Sequence, residues 1–125
     1  RLVAVLVNDL TPLSARSVAR LANRTLRLLR RHGAEIGDLS VGEDDLDVER
    51  AWLGPGYGHD TEEGGRAAER FGAAGVGLEQ VYTAKAAAAL LALNERGRFG
   101  PGPVLYWHTY GPAPEPAEIA ADLKL

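Results

Sequence analysis

The chain has 125 residues and a net charge of −3, with 46% hydrophobic and 25% charged residues, a composition of soluble globular type. That length suits one domain and is too short for two ordinary ones. There is no cysteine, which excludes thiol catalysis, thiolate metal sites and disulfides. The longest apolar run, residues 86–93, falls far short of the roughly 20 residues that a membrane span needs. No signal peptide is visible, so a cytoplasmic setting is expected. The chain opens on RLVAVLV and contains no methionine, which suggests a segment of a longer protein.

The charge is unevenly spread. Residues 1–33 carry seven arginines against Asp9, and residues 34–63 carry ten acids against Arg50. A basic stretch is one mark of a nucleic-acid binder. However, Arg16, Arg20, Arg24, Arg27 and Arg31 are spaced 4, 4, 3 and 4 apart, which is one helical face. No aromatic residue is interleaved for base stacking, so a solvated face near an acidic loop is expected, without nucleic acid.

In chain order, LVAVLV reads as a strand buried on both faces. Thr11-Pro12 predicts a helix start, with Val18, Leu21, Ala22, Leu28 and Leu29 as its apolar face and His32-Gly33 as its end. Residues 34–47 read as acidic loop, with a short strand turn in DLSVG. LDVERAWLG predicts an extended segment anchored by Val48 and Trp52, running into the glycine-rich turn GPGYGHD. Thr61 is expected to cap a helix weakened by Gly64 and Gly65. GVGLE suggests a short strand, YTAKAAAALLALNERG a strong helix ending at Gly97, and VLYWHT a second buried strand. A proline-broken tail, residues 112–125, ends the chain with room for a short helix. Strands tied to helices by short turns point to an α/β fold with a parallel sheet. Two or three strands are thin for an independent one.

Much familiar chemistry is missing from the inventory. No Gly-x-Ser-x-Gly elbow surrounds Ser14, Ser17 or Ser40, and no Walker loop or Gly-x-Gly-x-x-Gly run occurs. His32, His59 and His108 lack metal-ligand spacing. Three polar groups fall where α/β sheets collect ligands. Thr109 ends the VLYWHT strand pattern. Tyr57 sits on a glycine-flanked turn. Tyr82 and Thr83 stand at a helix start, where unpaired amides favour anions. Each position also suits ordinary packing or capping.

Taken in order and spacing, LGPGYG, VYTAKAAAALLALNERGRFGPG and VLYWHTYG resemble the C-terminal half of the 1-aminocyclopropane-1-carboxylate deaminase/D-cysteine desulfhydrase family. These are pyridoxal-phosphate enzymes of the tryptophan-synthase-β fold type. The resemblance implies that residues 1–111 are the C-terminal portion of the catalytic domain, with a partial open parallel sheet and flanking helices. It implies that Tyr82 lies against the pyridine ring of pyridoxal phosphate and that Thr109 hydrogen-bonds the ring nitrogen. Tyr57 would face a small amino-acid substrate and assist proton transfer. Thr83 is implied as a further cofactor-binding residue; threonine there, where cyclopropane deaminases have glutamate beside the pyridine nitrogen, resembles the D-cysteine desulfhydrase branch and its β-elimination. The family's Schiff-base lysine and phosphate loop belong to an N-terminal half, here a required partner, and the complete enzyme is expected to be a homodimer. Lys85 does not replace that lysine, and a solvated or ion-paired stem is expected for it. Ala84 and Tyr110 stand where the family has glycine, and Tyr110 either packs elsewhere or changes the pocket. The alternative is a non-catalytic α/β module for assembly or small-molecule sensing.

Overall fold

In a computed structural model, residues 2–110 are described. They form a mixed α/β chain with two short parallel strands and three α-helices. The chain divides into two compact units, one ending at His59 and the other beginning at Asp60. The proline-rich tail of residues 112–125 lies outside the described residues.

The first unit is a βαβ arrangement. Strand β1 (Leu2–Val5) pairs in parallel with β2 (Leu46–Glu49), Leu2 opposite Leu46 and Val5 opposite Glu49. The Leu6 amide extends the ladder to the Glu49 carbonyl at 2.8 Å. The buried anchors are Leu6 and Leu46, while Val48 and Trp52 are half-buried.

Helix α1 (Ala15–Arg31) starts three residues later than Thr11-Pro12 predicts. The reason is a reciprocal cap. The Ser17 amide donates to the Ser14 hydroxyl at 3.1 Å, and the Ser14 amide donates to the Ser17 hydroxyl at 3.0 Å. The helix ends as expected. Gly33, at φ 85°, lets the Gly33 and Ala34 amides turn back to the Arg30 and Leu29 carbonyls, closing a Schellman motif.

All five arginines of the predicted face are exposed. The apolar face is the predicted one only in part: Val18 and Ala22 are half-buried and Ala19 is buried, but Leu21 is 65% exposed and Leu28 and Leu29 are also exposed. DLSVG forms no strand. It is held instead by side chains of α1. Asn23 exchanges two hydrogen bonds with the Val41 backbone, at 2.7 and 3.0 Å, and Arg30 donates to the carbonyls of Gly37 and Leu39. Those contacts satisfy the loop backbone that a sheet neighbour would otherwise have to pair.

In the second unit, α2 (Glu62–Gly72) packs on α3 (Thr83–Glu95). Thr61 caps α2 as expected, its hydroxyl accepting from the Gly64 amide at 3.1 Å. Gly64 weakens helix propensity for a packing reason. A Cβ there would lie 2.9 Å from the Thr61 hydroxyl and 3.6 Å from the Ala84 Cβ. Gly64 and Ala84 together bring the two helices close.

Helix α3 is buried around nearly its whole circumference, through Ala84, Ala87, Ala88, Ala89 and Leu93. Gly97, at φ 67°, ends it in a second Schellman motif, with the Arg98 amide on the Leu93 carbonyl. GVGLE forms no strand; it is an irregular connection with only Leu78 buried.

VLYWHT is not a strand either. Residues 103–110 have no regular structure and no backbone partner among the described residues, with Leu105 82% and Trp107 76% exposed. Strand propensity favours a strand only where another backbone supplies its hydrogen bonds, and among the described residues the two strands pair only with each other.

Candidate functional site

The residues singled out at 82, 83 and 109 all belong to the second unit and gather at the start of α3. The segment of residues 103–110 meets this helix end through two tyrosines. The Tyr106 hydroxyl donates to the Thr83 carbonyl at 2.9 Å, and its ring meets Phe71 edge-on at 5.4 Å. Tyr110 meets Tyr82 edge-on, with ring centroids 5.7 Å apart. Two of the three segments that carry the family resemblance are therefore in contact. Thr109 is exposed and adjoins the ring that touches Tyr82.

Tyr106 was not singled out from the sequence, although it is the half-buried member of an otherwise exposed run. Burial pushes its phenol above the ordinary value of 10.0, so the hydroxyl is a donor throughout the neutral range. His108 stacks on this ring, with centroids 6.1 Å apart.

The turn before α3 is a closed polar motif. The Glu79 carboxylate accepts from the amides of Val81 at 2.7 Å and Tyr82 at 2.9 Å. The Thr83 hydroxyl accepts from the Glu79 amide at 2.8 Å and donates to the Glu79 carbonyl at 3.2 Å. Tyr82, at the N-cap position, makes no capping bond with its own side chain. The anion that sequence reasoning assigns to this helix start is thus in part the protein's own: Glu79 takes up amides that an external anion would need. Thr83 is buried with its hydroxyl committed to the turn. An acid four residues before a helix threonine was the available signal for this motif.

For Lys85 the solvated alternative of the two expected is ruled out. It is 0% exposed, so its stem is not solvated. A buried ammonium is tolerated only where polar groups receive it, and Lys85 is not without a partner.

Tyr57 belongs to the first unit. Its turn is held beyond the carboxyl end of β1 by Asp9, whose carboxylate accepts from the Tyr57 amide at 3.3 Å. Gly56 is buried there, and a Cβ on it would lie 3.6 Å from the same carboxylate. Asp9 was visible in the sequence only as the lone acid of a basic segment. Its role comes from a chain reversal 48 residues away.

Among the described residues no group of three or more His, Cys, Asp or Glu side chains is arranged to hold a metal ion. No helix among them is long and apolar enough to cross a membrane. Comparison with family models, with curated proteins and with solved structures finds no match to this chain.

Proposed function

We propose that this chain supplies one wall of the active site of a pyridoxal-phosphate-dependent lyase or deaminase that acts on a small amino acid. D-cysteine desulfhydrase-like β-elimination is favoured over cyclopropane deamination because residue 83 is threonine. The observation that carries the reading is the contact of the VYTAK and VLYWHTYG segments through Tyr106–Thr83 and Tyr110–Tyr82. In this reading β1 and β2 are part of an open parallel sheet of tryptophan-synthase-β type. An N-terminal half, on the same or a separate chain, provides the lysine and the phosphate loop. The complete enzyme is a cytoplasmic homodimer.

The residues present fit the ring-facing side of such a cofactor and not its phosphate end. Tyr82 offers a half-buried aromatic ring and Thr109 an exposed hydroxyl, whereas the amides of Val81 and Tyr82 are taken by Glu79. When bound, pyridoxal phosphate supplies an electron sink for charge at the substrate's α-carbon. Thr109, a neutral partner for the pyridine nitrogen, leaves that nitrogen unprotonated more readily than a carboxylate does. Thr83 acts through the helix, fixing the turn that carries Tyr82. Tyr57 is assigned to the substrate side, where its phenol moves a proton.

A second reading, a non-catalytic module for assembly or small-molecule sensing, draws support from Tyr110. Its ring occupies space beside Tyr82 where the family's glycine leaves room.

Reconstitution separates the two. Pyridoxal phosphate added to this chain alone is expected to give no visible band of lysine-bound cofactor. Adding an N-terminal half that carries the lysine is expected to produce that band and to release sulfide and pyruvate from D-cysteine. A borohydride-trapped adduct on Lys85 in the isolated chain overturns the assignment of the lysine to the other half. Intact association without cofactor uptake favours the non-catalytic module.

A further inference from the structure

We infer that Tyr106 is the positioning residue that sets residues 103–110, and with them Thr109, over the start of α3; its bearing on ligand binding rests on the function proposed above. The segment has little else to hold it. Among the described residues its backbone makes no hydrogen bond, and its outward side chains, Leu105 and Trp107, are exposed. Its attachments among the described residues are the Tyr106 hydroxyl on the Thr83 carbonyl, the Tyr106 ring on Phe71, and, four residues further on, the ring pair of Tyr110 with Tyr82.

The hydroxyl is the directional part of this attachment. A ring against a ring tolerates sliding, whereas a 2.9 Å hydrogen bond to one carbonyl fixes a register. That carbonyl belongs to the first residue of α3, whose own hydroxyl is locked to Glu79. The contacts therefore run from Glu79 through Thr83 to Tyr106, and Thr109 follows Tyr106 by three residues of chain. Thr109 needs no contact of its own with the helix to be placed.

Tyr106→Phe keeps the ring and removes the bond, and Trp107, next in sequence, reports on the segment's motion. In a Trp52→Phe background Trp107 is the sole tryptophan. Its fluorescence anisotropy is expected to fall in Tyr106→Phe, with helix content by circular dichroism unchanged. Phe71→Leu, which leaves the hydroxyl in place, is expected to lower it less. Equal anisotropy in the parent and Tyr106→Phe overturns the inference, as does an equal or larger fall in Phe71→Leu.

In the reconstituted complex, Tyr106→Phe is expected to bind pyridoxal phosphate about 2- to 10-fold more weakly, the size of one neutral hydrogen bond. If the anisotropy falls while neither protein binds pyridoxal phosphate, Tyr106 keeps its positioning role and the cofactor reading is overturned.

Discussion

Two runs that both read as buried strands, LVAVLV near the start and VLYWHTY near residue 110, meet opposite fates. The first becomes β1, because β2 lies beside it in register from Leu2–Leu46 to Val5–Glu49 and takes up its backbone groups. Among the described residues the second has no neighbouring strand and stays irregular, tied down by side chains. Strand propensity describes a fit to a pleated, half-buried surface, so it has no effect where that surface is missing. What a run becomes depends on its partner as much as on its residues. The unpaired run is also the one that carries Thr109 into the candidate site.

The sharpest way to break the comparison is to remove the paired run's advantage. Leu46 is 7% exposed and stands opposite Leu2. Leu46→Ala empties a core position and is expected to cost about 2–5 kcal/mol in urea or thermal unfolding. If it costs less than about 1 kcal/mol, β2 does not anchor β1 and the contrast loses its basis.

A smaller effect is expected at the platform under the unpaired run. Glu79→Ala frees the amides of Val81 and Tyr82 and is expected to cost about 0.5–2 kcal/mol, the range of a lost helix cap. Because Tyr106 bonds to the first residue of that helix, the same change should also lower the anisotropy of Trp107. An unfolding cost with no change in Trp107 would separate the helix cap from the position of the segment.

Local signals in this sequence were legible and relational ones were not. The ends of α1 and α3 at Gly33 and Gly97, the Thr61 cap and the exposed arginine face of α1 all depend on residues within a turn or two of each other. The start of α1 was misplaced because two stretches offer a plausible cap. Ser14 and Ser17 prevail through a reciprocal pair of bonds that Thr11-Pro12 does not match. The exposure of Leu21 and Leu28, the burial of Lys85 and the fate of VLYWHTY are decided by what lies alongside, which periodicity does not encode. The candidate site divides the same way. Tyr82 and Thr109 were visible as residue types in a recognisable order. Tyr106 and Asp9 became visible only once hydrogen bonds tied each to a distant backbone group, whereas Glu79 belongs to a local motif with a signal in the sequence.

The last test compares side chains of the two runs directly. Trp107 is far larger than Leu46, and by residue type alone its loss should cost more. Its side chain is 76% exposed, however, so little of its apolar surface leaves water on folding. Burial contributes roughly 25 cal/mol per Å² of apolar area removed from water, and a ring that stays wet contributes almost none of it. Trp107→Ser is therefore expected to change unfolding free energy by no more than about 0.5 kcal/mol, well under the cost of Leu46→Ala. A loss of about 2 kcal/mol or more would mean that residues 103–110 pack in solution as closely as the paired strand does. The contrast between the two runs would then fail, and so would the dependence of Thr109 on the Tyr106 attachment.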